Sequence, residues 1–234
     1  MNKPPTDFFP PEAAVVYDEK NKKLAPISDG MLFLIRLLLK DLPTQSKVLC
    51  VGAGTGNEIL ALAHFYPEWN FVALEPSKGM LDVCRERITK AGLADRCEFI
   101  QGYIHDAPID TKYDAVLSIL VAHFIKKEER LTYFKDIHAR LLPGGYVVNT
   151  EISFDLNSPE FPAMLENWKT VQSLMGGTHE SLAKLPEVLR NVLAVVPPQE
   201  TERFLRESGF NIPVRYFQAF MICGWYAQLV NKTN

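Results

Sequence analysis

The sequence lacks most of the features that mark a specialised class. Cysteine is scarce: Cys50, Cys84, Cys97 and Cys223 are the four in 234 residues, with no Cys-x-x-Cys pair and no cysteine–histidine spacing suited to zinc. Such a set predicts reduced thiols in a cytoplasmic protein and no metal site. Positive charge is not in excess, since 25 Lys and Arg stand against 28 Asp and Glu for a net charge of −3. That removes a global field for nucleic acid or an anionic membrane, and no basic run interleaved with aromatics restores one locally. No long hydrophobic run is present; Met31 to Leu39 is too short to span a bilayer and contains Arg36. The opening MNKPPTDFFPPEAA has no apolar signal core. No internal repeat, low-complexity tract or Pro/Gly/Ser linker divides the chain, so one elaborated domain over 1–234 is expected.

What remains is a chain of 47% hydrophobic residues, enough to bury one sizeable core. Residues 1–12 carry four prolines and no periodicity, which predicts a flexible or extended arm. Gly30 to Lys40 predicts a helix apolar nearly all round and covered on more than one face; residues 1–46 thus form an arm and a cap helix. Over 47–151 short apolar runs alternate with amphipathic segments. Strands are expected at Lys47–Val51, Trp69–Leu74, Arg96–Gln101, Tyr113–Ile119 and Tyr146–Glu151. Helices are expected at Asn57–Phe65, Ser77–Lys90 and Lys127–Leu141, the last stopped by Pro143-Gly144-Gly145. This alternation predicts an α/β, doubly wound, mostly parallel sheet with helices on both faces. Residues 155–197 break the pattern and predict a helical insert. One stripe runs through Phe161, Met164, Leu165, Trp168, Val171 and Met175, another through Leu182, Leu185, Leu189, Val192 and Val196, with Gly176-Gly177 between them. Residues 198–230 predict a last helix and a terminal hairpin reversing near Gln218 or Ala219.

The sharpest local pattern is Val48-Leu49-Cys50-Val51-Gly52-Ala53-Gly54-Thr55-Gly56-Asn57-Glu58: a strand, a glycine-rich turn and a helix start. Glycines let the backbone turn tightly and approach a ligand, and the helix offers free N–H groups to a carboxylate or phosphate. The dinucleotide fingerprint needs a glycine where Asn57 stands, which argues against an NAD-linked oxidoreductase. Glu75 ends the next strand, 19 residues after Gly56, where a carboxylate can bind both ribose hydroxyls of a nucleoside. The blander reading is a tight turn plus a surface acid.

With VALEPSKGM, YDAVLSILVAHFI and LLPGGYVV following in order, VLCVGAGTG resembles the class I S-adenosylmethionine (SAM)-dependent methyltransferases over about Lys47 to Glu151. The resemblance implies a seven-stranded Rossmann-like sheet with an antiparallel last strand, SAM as cofactor and S-adenosylhomocysteine as product. It implies that Gly52, Ala53, Gly54, Thr55 and Gly56 hold the methionine part, that Glu75 with Pro76 binds the ribose, and that Met80 packs on adenine. The stretch Gln101–Ile104, with Gly102, Tyr103 and Ile104, would line the adenine pocket, and Ser118 joins the candidate cofactor contacts. Two departures stand out: the family usually has an acid where this chain has Cys50, and often an aspartate where it has Tyr103. Outer segments resemble a narrower group, the carboxy-SAM synthases of tRNA wobble-uridine modification. Their carboxylate-binding arginine aligns with Pro186 here and a cofactor-side tyrosine with Ile27, so plain SAM is favoured; Arg190, four residues from Pro186, is the nearest substitute cation.

Methyl transfer needs alignment and water exclusion, and a base only for a protonated acceptor. His123, just past the strand ending at Ile119, is the candidate base; the alternative is a histidine that only packs. Tyr17 could close over the cofactor or only pack. The expected function is methyl transfer to a small-molecule acceptor under a lid hinged at Gly176-Gly177, with no membrane partner and nucleic acid disfavoured. A homodimer stays open. The competing readings are a carboxy-SAM synthase-like enzyme and a binding-only methyltransferase-like protein.

Overall fold

The computed structural model describes residues 17–230; the proline-rich arm expected over residues 1–12 lies outside them. Val48, Leu49, Cys50 and Val51 form one unbroken apolar run, and such a strand is stable only with both faces covered. It becomes β1 (Lys47–Val51), an inner strand of a seven-stranded sheet with β2 (Asn70–Glu75), β3 (Cys97–Gln101), β4 (Tyr113–Ile119), β5 (Leu141–Ile152), β6 (Val214–Ala219) and β7 (Ile222–Gln228). The order is β3-β2-β1-β4-β5-β7-β6, with β7 antiparallel to both neighbours and all other pairs parallel.

Strand alternation sorts the core into two layers. Leu49, Val51, Val72, Leu74 and Val116 face α4 (Arg130–Ala139) and α7 (Pro198–Glu207). Val48, Cys50, Phe71, Ala73 and Leu117 face α1 (Ala25–Leu38), α2 (Asn57–Phe65) and α3 (Lys78–Lys90). Ser77 caps α3, its side chain accepting from the Met80 N–H, a cap worth about 1 kcal/mol. The strand order reverses between β1 and β4, which opens a crevice beyond their carboxyl ends, where open α/β sheets bind ligands.

Three expectations needed correction. Helix α1 is not covered all round: Met31 and Ile35 are buried, but Phe33 and Leu37 are 51% and 44% exposed. The Lys127–Leu141 helix ends at Ala139, and Leu141 already pairs with Tyr113, so the Pro143-Gly144-Gly145 turn lies inside β5. The insert's first stripe forms α5 (Phe161–Leu174), but the second does not form one helix. It breaks into α6 (His179–Ala183), a single turn Leu185–Glu187 and a π-helical turn Val188–Val192, and Val192 is exposed. Phe161, Trp168, Val171, Leu185 and Leu189 bury against Met221 and Ile222 at the end of the sheet, forming a third cluster joined by Leu24, Ile27 and Leu120.

Candidate active site

The glycine loop follows β1 at the switch point. Gly52, Gly54 and Gly56 take φ of +64°, +54° and +82°, a conformation that side chains resist. Space is also short: a Cβ on Gly52 would lie 2.5 Å from Val121, and one on Gly56 would lie 2.7 Å from Cys84 Sγ. The turn is anchored by the Gly52 and Ala53 N–H groups donating to Leu74 O at 2.7 and 3.1 Å. Glu75, 5% exposed, lies beneath it. Its Oε2 accepts from the Gly54 N–H and its Oε1 from the Ser77 N–H, both at 2.9 Å. Each oxygen is held in place by a backbone donor. Pro76 is half-buried beside it, and the Met80 side chain is buried and reaches toward the loop, its Cε 3.6 Å from where a Gly54 Cβ would stand.

Next along the carboxyl edge, Gly102, Tyr103 and Ile104 follow β3, with Ile104 buried. The Tyr103 ring stacks on His105, and the Tyr103 N–H donates to Asp106 Oδ2 at 2.8 Å. A carboxylate therefore does stand beside this turn, three residues after the position where the family often has its aspartate.

Residues 17–21 are helical and lie against the glycine loop. Thr55 Oγ1 donates to Asp18 Oδ1 at 2.7 Å, and Arg87 bridges the Thr55 carbonyl at 2.8 Å and Asp18 Oδ2 at 3.1 Å. This clasp brings Tyr17 to the loop. Burial, then Glu58, Asp18 and Glu75, push its hydroxyl up to about 12, so it is a neutral donor. Glu58, Asp18 and Arg87 are site-side residues that sequence reasoning missed. For Glu58 a signal existed: it stands four residues before Leu62, on the apolar stripe of α2, where a charge needs a reason. Cys50 is fully buried with its thiol pushed well up by burial, as an inert apolar side chain.

The opposite side of the crevice is built from side chains. Arg130 and Glu151, both 0% exposed, pair at 2.7 Å. Thr201 Oγ1 donates to the other Glu151 oxygen, and Arg130 also donates to the Ile125 and Ala194 carbonyls. Ala194 in turn donates to the His123 carbonyl at 2.8 Å, so this network roots the end of the insert.

Two candidate residues fall inside that side and lose the roles expected of them. Ser118 is 0% exposed; its hydroxyl lies 2.8 Å from Tyr133 Oη and donates to Asn149 Oδ1 at 3.0 Å. The parity of β4 turns it toward α4, away from the crevice, so it braces the core instead of touching a cofactor. His123 is 4% exposed, and its Nδ1 accepts the Ile152 N–H at 3.3 Å. Burial, then Arg130, pull its imidazole down to about 3. Its lone pair is committed and its charged form is opposed, which suits a packing residue and not a base. Between the two sides sits Leu120, at φ +59°, a conformation costing a non-glycine residue about 1–2 kcal/mol. It turns Leu120 toward the third cluster while Val121 backs onto Gly52.

Residues 48–145 match the family described as methyltransferase domain, and they contain the strand, glycine loop and Glu75 described above. A methyltransferase domain thus covers the stretch from β1 into β5, and the glycine loop and Glu75 lie inside it. This methyltransferase is 25% identical over 232 residues to the carboxy-S-adenosyl-L-methionine synthase of Desulfotalea psychrophila, covering 96% of this chain and 93% of that one. It is 23% identical over 205 residues to the synthase of the same name from Campylobacter lari, covering 87% and 86%. Its fold is similar to that of an O-methyltransferase family protein from Burkholderia thailandensis, with TM-score 0.69, 14% identity, and 94% of this chain and 60% of that one covered. It is also similar to PigF with SAH, with TM-score 0.66, 19% identity, and 94% and 59% covered. The methyltransferase thus spans about three fifths of the length of these two solved proteins. Among the described residues no helix is long and apolar enough to cross a membrane.

Proposed function

We propose that this methyltransferase moves the methyl group of SAM to a small, mainly apolar organic acceptor held between the glycine loop and the 155–197 insert. The observation that carries this reading is the third cluster. Leu120 leaves β4 in a strained conformation, and like Met164, Leu165, Leu24 and Ile27 it packs partly buried against that apolar cluster, while Val121 next to it backs onto Gly52. Gly52 to Gly56 hold the methionine part, Glu75 the ribose and Met80 with Ile104 the adenine. Tyr17 covers the loop, and the insert is the lid that excludes water. SAM held there would supply an electrophilic methyl group, and these residues would align it with the acceptor's lone pair. With His123 buried and neutral, alignment and water exclusion carry the rate. Four buried, unpaired cysteines support a reducing compartment such as the cytoplasm.

A second reading, carboxy-SAM synthesis, has one specific support: those relatives align with 87% and 96% of the chain in the two cases given. Against it, Pro186 offers no charged donor. Arg190 donates to the Leu156 carbonyl at 2.6 Å and Asn157 Oδ1 at 3.1 Å and lies over the Phe161 ring, so it is spent on the insert's own root. Incubation with SAM and a panel of apolar phenols, amines and carboxylates, read by mass spectrometry, tests both. S-adenosylhomocysteine with a product heavier by one methylene unit is expected. Carboxylated SAM without a methylated acceptor would replace the first reading by the second.

A further inference from the structure

The second residue of α2 is a carboxylic acid sealed under the glycine loop. Glu58 is 7% exposed, and among the described residues no side-chain hydrogen bond or ion pair reaches it. The groups that face it are Tyr17 from residues 17–21, Cys50 on β1, Glu75 on β2, Cys84 and Arg87 on α3, and Cys97 on β3. Arg87 is the one cation among them, and its guanidinium is engaged by Thr55 and Asp18. What Glu58 retains is its own backbone N–H. A buried carboxyl in such surroundings holds its proton more readily than an exposed one, and a cation brought beside it favours the ionised form.

The cofactor delivers one. The methionine part of SAM ends in a carboxylate and an ammonium. The positive end of a helix suits the carboxylate; the ammonium needs an acceptor. Strand β1 has none, because position 50 is a buried thiol. Glu58, buried and two residues past Gly56, is the largest charge acting on that thiol.

We propose that Glu58 holds the ammonium group of the bound cofactor, supplying from helix α2 the acid that strand β1 does not carry. This deepens the cofactor reading and rests on it. Glu58 is then partly protonated in the empty site near pH 7 and fully ionised when the ammonium is bound, and cofactor binding expels the proton it still carries.

The test is calorimetric titration with S-adenosylhomocysteine in buffers of different ionisation heat. This probe lacks the sulfonium charge, and its amine keeps its proton through pH 8, so the ammonium acts alone. Because burial lifts the free Glu58 carboxyl to about 7, about half a proton should leave per site at pH 7, and binding should be about tenfold tighter at pH 8 than at pH 6. Glu58→Gln should release no proton, lose the pH dependence and bind about ten- to a hundredfold more weakly at pH 8, with an unchanged circular dichroism spectrum. Returning the acid to the strand, Cys50→Asp with Glu58→Gln, should recover affinity. If Glu58→Gln fails to fold, the wild-type proton count decides alone. Binding without proton release, or a folded Glu58→Gln that binds as the wild type does, overturns the assignment and leaves the cofactor reading standing. A folded wild type that does not bind the probe at all sinks the cofactor reading first.

Discussion

On the β1–β2 side of the crevice the structure presents backbone. Three glycines at positive φ bring the main chain close to Leu74 and Glu75, and Glu75 fastens the turn through two N–H donors. On the β4–β5 side it relies on side chains. Arg130, Glu151, Thr201, Ser118 and His123 are all sealed from water, and they tie the end of the insert to the sheet. Backbone surfaces are cheap to keep, because each N–H exists whatever the side chains are. A buried side-chain network stands or falls with each member, because removing one leaves another desolvated without its partner. The first side is built to meet a ligand; the second is built to hold a lid in place.

The largest test of this contrast is Arg130→Ala. It strands Glu151, whose carboxyl burial already pushes up, and should lower unfolding stability by about 3–5 kcal/mol in urea melts. A loss comparable to that of an exposed arginine would mean the network is not a unit. Second is acid sensitivity at His123, whose folded imidazole sits near 3 against an ordinary 6.5. Below pH 6.5 the unfolded chain takes up a proton that the folded chain refuses. This contribution is therefore whole above pH 6.5 and drains as pH falls toward 3, at about 1.4 kcal/mol per pH unit. His123→Asn should make the stability curve shallower between pH 6 and 4; an identical slope would show that the ring protonates freely in the fold.

The backbone side is tested by Glu75→Ala, which should weaken S-adenosylhomocysteine binding by about 1–3 kcal/mol through lost charge-assisted hydrogen bonds. Equal affinity in the folded variant would remove Glu75 from the ribose site. The smallest effect belongs to the insert's hinge. Gly176 has φ +92° with open space around it, so Gly176→Ala should cost about 1 kcal/mol of stability through strain alone. Cofactor affinity should stay unchanged in the same calorimetric assay, and a large affinity change would couple the hinge to the loop.

Much of the backbone side was legible in the sequence. The bounds of β1, α2 and β4 coincide with the runs Lys47–Val51, Asn57–Phe65 and Tyr113–Ile119. Loop glycine spacing and the distance to Glu75 are chain-local facts, so they could be read directly. The side-chain side was not legible. His123 was placed at the correct sheet edge, but whether its ring met solvent depended on Arg130 from α4 and Ala194 from the insert. Ser118 was on the correct strand and the wrong face. The insert's second stripe had apolar spacing for one helix, but Pro186 lacks the N–H of a continuing helix and Val188–Val192 rewound as a π turn.

By itself, then, the sequence determined the order of strands and helices, the glycine turn and the acid that fastens it. These rest on periodicity, glycine's freedom at positive φ and fixed chain distances, all properties of neighbours along the chain. Tertiary structure alone decided the state of each titratable group: Glu58 sealed and lacking a cation, Glu151 paired, His123 stripped of its proton. Ionisation in a fold is set by lost water and by charges brought from elsewhere in the chain, and Glu58 receives Tyr17, Glu75 and Arg87 from three separate elements.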